Sequence, residues 1–249
     1  MSMLSNLAVI GIALSAGVVL LMRDWRISCP ALLLNYIFLA IFLAQQRFLD
    51  PNVNAEVLGI GTIVVIKVVT GLAVTAILVL TALTFSREYG LEDLDEFGLS
   101  ELRRAARAAQ RQRLSQLPRL DDYIVPFWAI VLALLAGLTL PRIYPISAVR
   151  SVDFAWYWLG LTGLFTLATA GDLLKIGLGL LLCTSSIDLL YTALVSGPQA
   201  SGVGVVPLAL LSLVTILLAL VVAYLSGLLY GRLKTLELNE LYRQRMMQR

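Results

Sequence analysis

Histidine is absent from the chain, and cysteine occurs only twice in 249 residues. The first absence excludes bis-histidine haem, histidine-zinc sites and imidazole acid/base chemistry. The second excludes a disulfide framework and any cysteine metal spacing, so Cys29 and Cys183, both inside apolar runs, read as small packing residues. Charge is scarce as well, at 14% of residues against roughly a quarter in an ordinary soluble domain. No P-loop, dinucleotide fingerprint, catalytic triad or metal cluster is present. These gaps point to no resident cofactor, no metal and no enzymatic chemistry in the chain itself.

What is there is apolar. Hydrophobic residues make up 59% of the chain and the mean hydropathy is +0.87. No single core hides that much apolar surface, so lipid must cover part of it. A bilayer core asks for roughly 20 apolar residues per helix. Seven segments meet that length within a few residues: 5–22, 28–46, 57–84, 124–140, 153–170, 173–195 and 205–230. The first has its positive charges after the apolar run and lacks a small-residue cleavage site, which predicts a retained helix rather than a signal peptide.

With the N-terminus outside, fifteen basic residues fall in inner connections and three, Arg47, Arg142 and Arg150, in outer ones. That asymmetry predicts N-terminus out and C-terminus in the cytoplasm of a bacterial inner membrane. The long polar segment 86–123 is then cytoplasmic. Its run from Ser100, SELRRAARAAQRQRLSQL, has a capping serine, an early acid and strong helix formers, and predicts a surface helix. It reads equally as a docking element or as a solvated linker.

The chain also matches itself. A shift of 148 lays Asp24 on Asp172, and a shift of 144 lays Glu92–Phe97 on Leu236–Leu241. Each copy has an outer-loop proline, Pro51 and Pro198. The expected fold is therefore all-α and membrane-integral, with about seven spans. Residues 1–97 and 150–249 are parallel three-helix repeats, joined by a cytoplasmic amphipathic helix and one extra span in 98–149.

The run LLKIGLGLLLCTSSIDLL (173–190), with Pro207 and the tail Thr235 to Leu241, resembles the small C subunit of Mrp-type cation/proton antiporters and the related K subunit of complex I. Leu174-Lys175, Gly177-Leu178, Pro207 and the tail carry that resemblance. The seven-helix plan, with Asn6-Leu7-Ala8, Arg26 to Cys29 and Ile66-Lys67-Val68, looks more like component E of the group-4 membrane hydrogenases. The resemblance implies a non-enzymatic subunit that packs against a large antiporter-like subunit and other small membrane subunits. Where the complex I subunit carries a membrane glutamate in its second helix, this chain has Gly179, and its seventh span has no acid, which places the antiporter subunit first.

Two ionisable residues lie well inside spans. Lys67 and Asp188 are each about seven residues from the outer ends of their helices, and roughly 10 Å of rise gives them a common depth. Buried charge in lipid is costly, so both are candidates for a proton or ion path; the plainer reading is a structural pair between the repeats. Asp172 and Lys175, at the inner end of the sixth span, are weaker path candidates that read first as helix-end neutralisation and snorkelling. Thr184, Ser185 and Ser186 form a small polar face for close helix approach, and Trp25, Trp128, Trp156 and Trp158 form an interfacial belt. A self-sufficient small transporter and a purely structural assembly subunit stand as the alternatives.

Overall fold

A computed structural model describes residues 3–22, 24–45, 56–57, 60–88, 120–147, 149–195 and 205–233. Those residues form seven α-helices: α1 (Met3–Leu21), α2 (Trp25–Gln45), α3 (Thr62–Glu88), α4 (Leu120–Ile143), α5 (Arg150–Ala168), α6 (Leu173–Val195) and α7 (Val205–Leu233). A two-residue antiparallel ribbon, β1 (Glu56–Val57) and β2 (Ile60–Gly61), precedes α3. The expected surface helix from Ser100, both acidic tails, Pro51 and Pro198 lie outside the described residues.

Six of the helices are long and apolar enough to cross a membrane. They are apolar all round, as lipid-facing helices are. Leu4, Leu7, Ile10 and Leu14 make one stripe on α1 and are each more than half exposed, and Leu210, Leu213, Leu217 and Val221 repeat the pattern on α7. In water such surfaces would drive aggregation; in lipid they cost nothing. The fold is thus that of a multi-pass membrane protein. The remaining helix, α5, is less apolar because Asp153, Trp156, Tyr157 and Trp158 crowd its first half.

Several boundaries differ from the sequence reading by a few residues, and three of the differences are instructive. Helix α3 begins at Thr62 rather than 57, because the apolar run before it contains Gly59 and Gly61 and part of it pairs as the ribbon. This ribbon is the one departure from an all-α fold among the described residues. Helix α4 was expected to be the shortest, over 124–140; it spans 24 residues and runs through Pro126 and Pro141. Pro126 is the seventh residue and Pro141 the third from the end, so each lies beyond the first turn and removes one backbone donor from the ladder. Helix α2 begins at Trp25, three residues early, because Asp24 starts it: the Arg26 N–H donates to Asp24 Oδ1 at 3.0 Å.

Asp172 does the same for α6, where the Lys175 N–H donates to its Oδ1 at 2.6 Å. The helices pack as two triplets, α1–α3 and α5–α7. Within each, neighbours in sequence are neighbours in space; between them α1 lies against α5, α2 against α6 and α3 against α7. Helix α4 packs on α5 and touches α1. The first two helices of each triplet cross at positions 148 apart. In one, Asn35 Nδ2 donates to Ser15 Oγ at 3.0 Å; in the other, Gly163 meets Cys183. The two triplets also run in the same direction, since Lys175 at the start of α6 donates from Nζ to the Leu20 carbonyl at the end of α1, at 3.2 Å.

At Gly163 the backbone of the neighbouring helix is itself within reach. A Cβ there would lie 2.6 Å from Cys183 Sγ and 2.9 Å from the Gly179 carbonyl oxygen, so the helices would have to part. Around Gly227 the same atom meets nothing within 4 Å. Gly163→Ala is therefore expected to lower stability by about 2 kcal/mol, while Gly227→Ala is neutral or slightly stabilising. Thermal unfolding of the two variants in one detergent checks the contrast.

Candidate functional site

Lys67 and Asp188 meet in an ion pair between Nζ and Oδ2. Lys67 projects from the second turn of α3 and Asp188 from the last turns of α6, so the pair spans the seam between triplets. Both residues are buried, at 2% and 6% exposure. The positions that shifts of 144 and 148 lay on them, Leu211 and Ala40, are apolar, so neither member of the pair has a charged counterpart there.

The surroundings are polar but largely self-satisfied. On α6, Thr192 Oγ1 donates to the Asp188 carbonyl at 2.7 Å and Ser185 Oγ to the Leu181 carbonyl at 2.9 Å. On α3, Thr70 Oγ1 donates to the Ile66 carbonyl at 2.7 Å. This back-bonding lets hydroxyls line an interior without demanding partners from the next helix. The ion pair is different in kind, because each charge depends on a residue 121 positions away in sequence.

Asp172 and Lys175 are not part of that cluster. Thirteen residues separate Lys175 from Asp188, about 20 Å of helix rise, and the buried Leu178, Leu181 and Leu182 lie between them. Asp172 caps α6, and Lys175 serves the C-terminal carbonyls of α1, where a cation is favoured. Helix-end neutralisation matches this placement. Snorkelling does not, because Lys175 is only 6% exposed.

The small polar face on α6 works as a contact surface. Ser186 Oγ donates to the Trp156 carbonyl at 2.7 Å, and Gly160 leaves room for it. The tryptophan belt needs one correction. Trp128 is exposed, but Trp158 is 4% exposed and stacks on Phe154 at 6.1 Å between ring centroids, with Gly17 of α1 and Gly137 of α4 against it. It is a wedge at the junction of three helices.

Sequence reasoning missed three buried polar residues. Asp153, 1% exposed, accepts the Ile146 and Ser147 N–H groups at 3.2 and 2.8 Å and so shapes the α4–α5 turn. An acid in the first turn of a span was the available signal. Asn35 and Tyr36, in the middle of α2, are fully interior, and their mid-span position could have flagged them. Among the described residues, no group of three or more metal-ligating side chains comes together. Comparison with models of known families, with characterised proteins and with solved structures finds no match.

Opposite charges in a low-dielectric seam predict a strongly non-additive response. Lys67→Met alone strands a carboxylate and is expected to cost about 3–5 kcal/mol, whereas Lys67→Met with Asp188→Leu recovers most of that loss. Unfolding midpoints of the two single variants and the double variant form the cycle that measures it.

Proposed function

We propose that this chain is a non-enzymatic membrane subunit of an ion-translocating assembly, with the Lys67–Asp188 pair on or beside the proton path. The carrying observation is that pair: a charged couple held away from water between two transmembrane helix triplets. Ionisable groups are expensive inside a membrane and concentrate along ion and proton routes. A proton passed from the Lys67 ammonium to the Asp188 carboxylate neutralises both, so transfer within the pair strands no net charge in the seam.

The host assembly in this reading is a monovalent cation/proton antiporter of the Mrp type, or a related complex I-like or group-4 hydrogenase membrane arm. The motif at 173–190, with Pro207, supports it. The chain packs there against a large antiporter-like subunit and other small membrane subunits. Two parallel three-helix repeats are supported by the paired caps Asp24 and Asp172 and by the equivalent crossings at 15/35 and 163/183. Helix α5 counts as a seventh span in this plan. The distribution of basic residues sets the N-terminus outside and the C-terminus in the cytoplasm of a bacterial inner membrane.

A structural reading is favoured by one specific observation: the pair joins the two triplets, so it could serve as a pin alone. Two measurements decide. The tagged chain, extracted in mild detergent, is expected to carry larger membrane proteins with it; a chain recovered alone counts against the subunit reading. The Lys67→Met/Asp188→Leu variant is expected to assemble with those partners yet lose proton-coupled ion movement in membrane vesicles. Full activity in an assembled double variant leaves the pair as a pin and removes the path.

A further inference from the structure

Lys67 takes one oxygen of Asp188, Oδ2, while the other, Oδ1, has no hydrogen-bond partner and is buried. A bare carboxylate oxygen in a dry interior is costly, and natural structures rarely tolerate one. A second poorly satisfied polar group lies one turn of α6 away. The Tyr36 hydroxyl, on a side chain 2% exposed, makes no well-formed hydrogen bond and has only a loose contact with Ser185. It can donate what Oδ1 needs to accept.

The packing of Tyr36 sets its ring between α3 and α6, one helical turn from each member of the pair. Its Cβ and ring base rest on Gly71, where a Cβ would come within 2.6 Å, and Gly71 is one helical turn below Lys67. Its hydroxyl lies beside Ser185. Ser185 precedes Asp188 by three residues, about 4.5 Å of rise along α6. Ser185 spends its own proton on the Leu181 carbonyl and has none to give Asp188. A donor held one helical turn from such an acceptor reaches it through a bridging water.

We propose that Tyr36 is a positioning residue of the ion pair, its hydroxyl joined to Asp188 Oδ1 through one bound water, so that Lys67, Asp188 and Tyr36 act as a single hydrogen-bonded unit. Three helices, α2, α3 and α6, then share one carboxylate. Tyr36 forms the inner floor of the unit, because the buried residues of α6 in the two turns below Ser185 are leucines and glycines, from Leu182 to Gly177. Among the described residues, the other elements packed on α6 bring no competing charge to Asp188. On α5, Asp153 is held by the Ile146 and Ser147 N–H groups, and Tyr157 has its hydroxyl on the Tyr144 carbonyl. On α7, Tyr224 is exposed. The inference deepens the proton-path reading and rests on the same ion pair, but its test needs no transport.

The full chain in lipid nanodiscs is titrated by infrared spectroscopy, following the protonated-carboxyl band that Asp188→Asn removes. Hydrogen bonding to the charged form favours that form. Tyr36→Phe, which keeps the ring on Gly71, is therefore expected to move the Asp188 titration midpoint by about one pH unit, a tenfold change in proton affinity. In the unaltered chain, ring-deuterated tyrosine is expected to shift a band in the same titration difference spectrum. An unmoved midpoint in Tyr36→Phe, or a difference spectrum without a tyrosine band, overturns the proposal. Loss of the vesicle transport result, with these spectra intact, overturns only the path.

Discussion

A cation and an anion that leave water together must stay together, and the arrangement of the two helix triplets follows from that requirement. Separating Lys67 from Asp188 inside the seam would expose each to a medium that solvates neither. The pair therefore limits how far α3 can slide along α6, or rotate about its own axis, relative to that helix. Apolar contacts between lipid-exposed helices supply no comparable constraint, because lipid tails are as apolar as leucine. Close packing at Gly163 and Gly179 holds α5 to α6 within one triplet; across the seam, polarity does much of the specifying.

The polar groups elsewhere in the bundle follow a graded pattern. Hydroxyls of Ser15, Thr70, Thr162, Thr166, Ser185 and Thr192 return to carbonyls of their own helices, so they add polarity to contact faces without dictating a neighbour. Asn35 goes one step further and reaches across α1 to Ser15 and the Ile12 carbonyl. Lys175 reaches between triplets, though at the bundle's end, where it completes a helix terminus. The ion pair alone, among the described residues, places full opposite charges on both sides of the seam.

How much of this the sequence disclosed depends on whether a property is one-dimensional. Span length and depth are: counting residues from the ends of apolar runs put Lys67 and Asp188 at one level, and they do meet. Helix starts set by a local side chain were visible at Asp172 and overlooked at Asp24, although the two occupy corresponding positions. The ribbon before α3 escaped because apolarity was read as helix while Gly59 and Gly61 were ignored. Azimuth around a helix was illegible. In a segment apolar on every side no periodicity distinguishes lipid from neighbour, so Trp158 was assigned to an interfacial belt though it is enclosed by α1, α4 and α5, and Tyr36 passed unnoticed one turn from the pair.

The order of apposition, α1 on α5, α2 on α6 and α3 on α7, has a geometric consequence. A two-fold axis along the membrane normal would reverse one row and set α1 opposite α7. Parallel rows in the same order are instead related by a sideways displacement, so the front of one copy meets the back of the other. Such a contact is heterologous and does not close on itself. The molecule thereby acquires a head and a tail within the plane of the membrane, and a neighbour shaped to one flank has no equivalent seat on the other.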